Sequence, residues 1–251
     1  MVSYRPGVMN DVIEHVKKGL EGGCQNMLMF TDKPAERVNA EYLFTVNIAQ
    51  SFGNMLYSDG DPYRIYLEKS RDDFSKDCVP ALLEGDARIR RVSVMRGELE
   101  RPIKGRIDIV VYDNRTIKGY YGLIPVCAIE VKGFNPPKAL VLCDLKRNLE
   151  YFYVRANTGE SAIEFTLFVA IEYSTECDVV GAASRRKDIK EKYEKYVEVL
   201  CIGNDVNSVL DVFDVSHDPD GRVYDYEDYV PVINTSDRHH YIGVVVCFFR
   251  N

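Results

Sequence analysis

Apolar and polar positions along the chain follow two different periods, which divide it into helices and strands. Apolar residues recur at helical spacing in several segments, and segments rich in β-branched residues have strand character. The predicted helices cover residues 11–20, 34–56, 62–83, 138–154 and 184–200. The predicted strands cover residues 88–96, 104–113, 123–134, 162–173, 208–215 and 241–249. This order predicts one α/β domain with a central mixed β-sheet flanked by helices.

Local signals mark several element boundaries. The pair Gly22-Gly23 predicts the end of the first helix, because glycine disfavours a helix interior. Asp32 is the expected cap of the second helix, and Pro34 lies in its first turn. Residues 162–173 are almost continuously apolar, so we expect this strand to be covered on both faces.

Length and composition are those of a globular protein. A chain of 251 residues can bury one large core, and no Pro/Gly/Ser-rich linker divides it. No apolar run approaches the roughly 20 residues that span a bilayer, and the N-terminus lacks the apolar segment of a signal peptide. We therefore predict a cytoplasmic protein without a membrane partner. The seven cysteines include no CxxC pair, which favours free thiols over disulfides or a zinc site.

The net charge of −7 hides an uneven distribution of charge. Between positions 88 and 106, seven basic residues stand against two acidic ones. The basic residues are Arg88, Arg90, Arg91, Arg96, Arg101, Lys104 and Arg106. We expect this segment to contact phosphates, whereas the acidic run between positions 211 and 229 is expected to be a solvated surface.

The stretch "AIEVKGF" combines strand character with two charges. Ile129 and Val131 point to one face of a strand, so Glu130 and Lys132 project together from the other. The preceding predicted strand carries Asp108, and a carboxylate inside such a strand is costly unless it is exposed, paired or bound to metal. If the two strands are neighbours, these three charged groups converge.

Two carboxylates and a lysine in one place suit metal-assisted hydrolysis of a phosphodiester. Mg²⁺ binds few protein carboxylates together with water and substrate phosphate. The bound ion lowers the pKa of a water and neutralises charge on the leaving oxygen, and a lysine can orient or activate the attacking water. The structural alternative is a half-exposed ion pair of Glu130 and Lys132 on a solvated strand face.

An Asp on one strand followed by Glu-x-Lys on the next resembles the PD-(D/E)xK nuclease superfamily, which has the restriction-endonuclease-like fold. The resemblance implies a core of helix, three-stranded meander, helix and strand over residues 32–173. Residues 1–31 would then be an N-terminal helical extension, and residues 174–251 a C-terminal elaboration of the same single domain. Ile107 stands where the name of the motif has Pro, a residue that relatives often lack.

The resemblance also implies an activity and a set of site residues. Asp108, Glu130 and Glu41 would bind Mg²⁺, for which Mn²⁺ can substitute, and Lys132 would serve the attacking water. Glu41 is similar to the metal-directing glutamate of the helix before the first core strand, with Glu36 as the weaker candidate. The expected substrate is nucleic acid, DNA rather than RNA, in prokaryotic defence or repair. A homodimer or larger assembly stays open.

Several alternative interpretations of the sequence stay open or are less favoured. The same core can serve as a catalytically inactive module that binds nucleic acid or a protein partner, and the overall acidity favours this alternative. In the helix after the site, no pattern selects among Asp144, Lys146 and Tyr151. Residues 216–227 approach a calcium loop, but we prefer a turn. The pair His239-His240 is expected in a surface or interface role.

Overall fold

The computed structural model of the chain describes residues 5–30, 40–53, 62–84, 93–96, 98–99, 104–113, 124–174, 179–220, 222–227, 230–234 and 238–250. The helices in this part are α1 (Pro6–Phe30), α2 (Ala40–Gly53), α3 (Arg71–Cys78), α4 (Lys138–Glu150) and α5 (Val179–Glu198). The strands are β1 (Tyr63–Ser70), β2 (Ala81–Glu84), β3 (Ser93–Arg96), β4 (Arg106–Asp113), β5 (Ile124–Phe134), β6 (Arg155–Ala156), β7 (Gly159–Glu160), β8 (Phe165–Ser174), β9 (Val206–Asp218), β10 (Arg222–Glu227), β11 (Val230–Asn234) and β12 (His239–Arg250).

A six-stranded mixed sheet with the order β1-β4-β5-β8-β12-β9 is the centre of the fold. Adjacent strands are antiparallel except β5 and β8, which are parallel and lie on either side of helix α4 in the chain. A parallel pair requires such a crossover, because a tight turn cannot join two strands of the same direction. The α/β class and the mixed sheet flanked by helices, expected from the sequence, are confirmed.

Strand β8 separates two hydrophobic cores. Leu167 and Val169 pack with residues of α1 and α2 on one side of the sheet. Phe168 and Ala170 pack with residues of α4 and α5 on the other side. Burying each large apolar side chain contributes roughly 1.5–3 kcal/mol, so a strand apolar on both faces belongs in the sheet interior. The prediction of a strand covered on both faces is confirmed.

The first helix continues through Gly22 and Gly23, so the predicted end at this pair is wrong. Glycine is used here for close packing between α1 and α2. A Cβ atom added at Gly19 would lie 2.3 Å from Ile48 Cα, and one at Gly23 would lie 2.6 Å from Phe44 Cδ1. The contact that these glycines allow outweighs their low helix propensity.

The segment predicted as a third helix begins with a strand. Residues Tyr63–Ser70 form β1, which pairs antiparallel with β4 at the edge of the main sheet. The helix, α3, covers only Arg71–Cys78, and Ser70 caps it by accepting a hydrogen bond from Asp73 N–H over 3.4 Å. Long-range pairing with β4 decides the conformation of β1, and a local pattern does not encode that pairing.

The predicted strand at 88–96 does not form the first strand of the main sheet. Its described part is β3, which pairs with β2 in a separate two-stranded sheet. The three-stranded meander therefore consists of β1, β4 and β5, with α2 as the helix before it. Asp32, Pro34 and Glu36 lie outside the described residues.

The C-terminal strands correct one expectation and agree with another. His239 and His240 are buried in β12 between β8 and β9, so the expected surface or interface role is wrong. Their Nε2 atoms lie 2.9 Å from Ser216 Oγ and 2.7 Å from Asp214 Oδ1, respectively. Residues 216–227 belong mainly to β9 and β10, and Asp218 accepts a hydrogen bond from Asp220 N–H in the turn between them.

Two sequence-based expectations concern the environment of the protein. None of the described helices is long and apolar enough to cross a membrane. The cysteines of the described part are free thiols, as expected, and Cys177 lies outside it.

Substitution of two neighbouring glycines tests the packing of α1 on α2. We expect Gly19→Ala to destabilise the protein by about 2 kcal/mol, because the new methyl group would overlap the backbone of Ile48. Gly22→Ala is the matched control: its Cβ would lie 3.6 Å from Asn47 Oδ1, and removing glycine from a helix should stabilise by up to about 1 kcal/mol. Urea unfolding measures both changes, and equal effects of the two substitutions would contradict the close packing.

Candidate active site

Strands β4 and β5 place two carboxylates side by side where their pairing ends. The antiparallel register pairs Ile109 with Ile129, and its next step sets Asp108 opposite Glu130. At this step the Val131 N–H donates to Asp108 Oδ2 over 2.7 Å. The carboxyl groups of Asp108 and Glu130 are close enough for the charge of Asp108 to raise the pKa of Glu130.

The carboxyl group of Glu130 lies in a nearly water-free position. The residue is 3% exposed, and its Oε1 atom has no hydrogen-bond partner. Burial and the charges of Asp108 and Asp144 raise the pKa of Glu130 to about 8, although Lys132 and Arg71 oppose this. Without a bound cation, Glu130 therefore retains its proton near neutral pH. A buried oxygen without a partner calls for an explanation, and a bound ion absent from the structure is one.

Asp108 shares this environment to a smaller degree. Burial raises the pKa of Asp108 to about 6, while the hydrogen bond from Val131 N–H and the charge of Lys132 lower it. The carboxylates of Glu41 and Glu68 raise it further. Burial in the first place, and neighbouring carboxylates in the second, thus disfavour the charged forms of Asp108 and Glu130, and either a proton or a cation can relieve this cost.

Lys132 follows Glu130 on the same face of β5, and acceptors surround its ammonium group. Its Nζ atom lies 3.2 Å from Glu41 Oε1 and 3.3 Å from Asp144 Oδ2, and it donates to Val131 O over 3.1 Å. Burial disfavours the charged form, but the carboxylates of Asp144 and Glu41 outweigh this and raise the pKa of Lys132. Lys132 is therefore a cation that donates hydrogen bonds and does not accept a proton.

A β-bulge at Gly133 brings helix α2 against the end of β5. A Cβ atom at Gly133 would lie 3.2 Å from Glu41 N and 3.4 Å from Ala40 Cβ, so a larger residue would push α2 away. Beyond the bulge, Asn135 has a φ of 45° and its amide exchanges two hydrogen bonds with the backbone of Tyr173. These contacts hold Glu41, in the first turn of α2, within reach of Lys132.

Helix α4 and the start of α3 supply residues that the sequence did not select. Asp144 is buried beside Lys132 and also accepts a hydrogen bond from Arg147 NH1 over 2.8 Å. Arg71 is buried, and its Nε donates to the hydroxyl group of Tyr151 over 2.8 Å. Of the three open candidates, Asp144 and Tyr151 lie in the buried network, whereas Lys146 is exposed.

The sequence contains a pattern from which one of these residues, Asp144, could have been predicted as a buried site residue. Asp144 stands directly before Leu145 and three residues after Val141, within the buried stripe of α4. A carboxylate in an apolar helix stripe requires a partner, and Lys132 is that partner. Arg71 had no comparable signal, since its position depends on the boundary between β1 and α3.

The donor set fits a divalent cation in part. In the described ranges, no group of three or more His, Cys, Asp and Glu side chains is arranged to hold a metal ion. Mg²⁺ nevertheless binds to proteins through one or two carboxylates, with water completing its shell. Asp108 and Glu130 provide two such carboxylates, and the unpartnered Glu130 oxygen is a donor without a present role. Glu41 is engaged with Lys132 instead.

Comparisons with known proteins add no relative. No protein-family model matches the chain, and neither a curated protein nor a solved structure matches it. The fold and the site therefore define an α/β protein with a buried acidic centre at the end of β4 and β5. Its function has to be argued from that centre alone.

The raised pKa of Glu130 predicts a pH-dependent stability in the absence of divalent cations. Since the folded-state pKa of Glu130 is about 8 and the ordinary value is 4.5, the contribution of Glu130 to stability is fully present below the ordinary value and is lost as the pH rises through the folded-state value. We expect Glu130→Gln to remove most of this loss of stability. At about pH 9 the free energy of unfolding of the variant should exceed that of the wild type by on the order of 2 kcal/mol. Urea unfolding between about pH 5 and about pH 9 measures the difference.

A matched control separates burial from charge in this experiment. Glu160 is exposed and pairs with Arg155, so Glu160→Gln should leave the pH profile of the wild type unchanged. Parallel profiles of the wild type and Glu130→Gln would show that the carboxyl group of Glu130 titrates normally.

Proposed function

We propose that the protein is a metal-dependent nuclease that hydrolyses phosphodiester bonds, in DNA rather than RNA. The observation that carries the proposal is the buried Glu130 carboxyl group, which lies beside Asp108 with one oxygen unpartnered and with the Lys132 ammonium group on the same strand. The order α2, β1, β4, β5, α4 and β8 supports a restriction-endonuclease-like core.

Asp108 and Glu130 are the residues that would hold Mg²⁺ or Mn²⁺. When bound, the ion supplies Lewis-acid activation of a water and neutralises charge on the phosphate. Glu130 would give up its proton on binding, because the charge of the ion would offset the burial and the neighbouring carboxylates that raise its pKa. Glu41 supports the centre by fixing the ammonium group of Lys132.

Lys132 would position the attacking water and stabilise the developing negative charge. Its ammonium group can only donate, so the proton of the attacking water would pass to a phosphate oxygen of the substrate or to solvent. Asp144 and Glu41 hold the group in place, which reduces the reorganisation needed during the reaction.

The basic segment that leads into β4 would contact the phosphates of the substrate. Lys104 and Arg106 are exposed, and Arg106 lies two residues before Asp108. Arg88, Arg90, Arg91 and Arg101 lie outside the described residues, and only the backbone of Arg96 is described. Phosphate contacts of this kind make the affinity for nucleic acid fall steeply with salt concentration.

A catalytically inactive binding module is the second candidate, and one observation favours it. Lys132 already pairs with two carboxylates and a backbone carbonyl, so part of the charged centre is satisfied without any ligand. In this alternative the charges maintain local structure, and nucleic acid or a protein partner binds elsewhere.

Cleavage of plasmid DNA tests the assignment of the site. In the presence of Mg²⁺ we expect Asp108→Asn and Lys132→Ala to lower the cleavage rate by about 100-fold or more, because each removes a group that acts on the reacting atoms. Glu160→Gln should cleave like the wild type. Equal cleavage by all four proteins would remove Asp108 and Lys132 from the site, and a parallel assay with RNA decides the substrate class.

Calorimetric titration with Mg²⁺ and Mn²⁺ separates the enzyme from the inactive module. The wild type should bind either ion, and Glu130→Gln should bind it at least about 10-fold more weakly through loss of a ligand. Absence of binding to the wild type would favour the module.

A further inference from the structure

Arg71 is a buried cation next to the acidic centre. Its side chain is 7% exposed, and α3, which begins at Arg71, packs against β4 and β5. The Arg71 N–H donates to Gly105 O over 3.0 Å, directly before the strand that carries Asp108. Although burial above all raises the pKa of Glu130, the charge of Arg71 lowers it, so the guanidinium group lies near that carboxyl group.

Contacts on several sides fix the orientation of the Arg71 side chain. Its Nε donates to the Tyr151 hydroxyl group over 2.8 Å, and its Cζ lies 5.4 Å from the centroid of the same ring. Its Nη1 donates to Lys104 O over 3.3 Å. Gly105 has a φ of 109°, and a Cβ atom there would lie 3.2 Å from Arg71 Cδ. The guanidinium group is therefore held in place without a ligand, which is the arrangement expected of a preorganised electrostatic group.

Part of the hydrogen-bonding capacity of this group is unused. Nη1 donates to Lys104 O, and Nη2 donates to Glu150 Oε2 over 3.1 Å. Each of these nitrogens carries a further N–H, which has no acceptor among the residues that the structure describes. The Tyr151 hydroxyl group accepts from Arg71 Nε, and within the same part of the chain its own O–H donates to no acceptor. Buried donors usually find an acceptor, so these donors suit a ligand with several acceptor oxygens.

The balance of charge also favours an anion at Arg71. The two carboxylates of the centre would balance a divalent ion, so the ion and its ligands together would offer a phosphodiester no net positive charge. Lys132 is already paired with two carboxylates. Among the described residues, Arg71 forms its ion pair with Glu150, whose side chain is 59% exposed. A pair with so exposed an acid contributes little, so the charge of Arg71 is largely uncompensated.

A phosphodiester group has the chemistry that these donors require. A guanidinium group is planar and weakly hydrated, and its N–H groups match the oxygens of a phosphate. The group also lies just beneath the surface, because Lys104 and Glu150, which it contacts, are both exposed. A phosphate of a bound nucleic acid could therefore approach Arg71 from the side of the basic segment that leads into β4.

We propose that Arg71 binds a non-bridging oxygen of the substrate phosphate and that Tyr151 positions its guanidinium group. This inference rests on the proposed function and assigns substrate binding to a residue outside the charged groups of β4 and β5. Arg71 neutralises charge on the phosphate and on the transition state. It transfers no proton, because a guanidinium group stays protonated in proteins.

The salt dependence of DNA cleavage by the full chain tests this role. The probe is a labelled DNA duplex, cleaved in Mg²⁺ at several concentrations of KCl. We expect Arg71→Gln to lower kcat/KM about 100-fold, because a preorganised donor is lost. The plot of log kcat/KM against log salt concentration should become less steep by about 1, because one phosphate contact is lost.

Two further variants serve as controls for charge and for position. Arg71→Lys should keep the salt dependence of the wild type, because an ammonium group also contacts a phosphate, although kcat/KM falls with the loss of the planar group. Arg155 is 64% exposed and pairs with Glu160. Arg155→Gln should therefore match the wild type in both kcat/KM and salt dependence.

The outcomes distinguish this inference from the proposed function. A merely structural role of Arg71 would lower kcat/KM by the same factor at every salt concentration, so an unchanged slope in Arg71→Gln would overturn the phosphate contact. Cleavage by Arg71→Gln at the wild-type rate, combined with its loss in Lys132→Ala, would also overturn it while leaving the proposed function intact. Absence of cleavage by the wild type would overturn both.

A milder variant covers the case in which Arg71→Gln does not fold, which urea unfolding would show. Tyr151→Phe removes only the hydroxyl group that holds Arg71 Nε. We expect it to lower kcat/KM about 10-fold with an unchanged salt slope, because the guanidinium group stays but is less well placed. Cleavage by Tyr151→Phe at the wild-type rate would then overturn the inference.

Discussion

The hydrogen bond from Val131 N–H to the carboxylate of Asp108 is the contact on which the candidate site depends. It forms where the backbone pairing of β4 with β5 ends, one step beyond Ile109 and Ile129. A side chain thereby takes the place of a backbone acceptor in the ladder, so the strands stay in register while a charge lies between them. This contact fixes Asp108 against the face from which Glu130 projects.

The remaining charges of the site follow from that arrangement. Lys132 is engaged by Glu41 and Asp144, so it cannot also neutralise both acids of the strand pair. Burial leaves those acids with little help from water, and the raised pKa values of Asp108 and Glu130 express the resulting cost. The proposed cation would relieve this cost, which links the packing of the sheet to the proposed chemistry.

Sequence reasoning succeeded where a local pattern carries the information. Strands β4, β5 and β8 and helix α4 have clear periodicity. The alternation in β5 was enough to predict that Glu130 and Lys132 lie on the same face of the strand. It failed where distant contacts decide. The edge strand β1 is specified by its pairing with β4, and Gly23 lies inside α1 because Phe44 packs against it.

The residues of the candidate site also fall into those that a local pattern predicts and those that depend on distant contacts. Asp108 and Glu130 could be proposed from their strands, and Asp144 from its place in a buried helix stripe. The burial of Arg71 required the boundary between β1 and α3. That boundary depends on how separate segments meet, which residue spacing does not contain.

The proposed function depends on a divalent cation bound between the acids of β4 and β5. Crystals grown with Mn²⁺, examined by anomalous scattering at the manganese edge, test it directly. We expect one strong anomalous peak within coordination distance of both Asp108 and Glu130, at about 2.0–2.3 Å from their oxygens. Well-ordered crystals with no peak there, in which Glu130 Oε1 still has no partner, would contradict the proposed metal site.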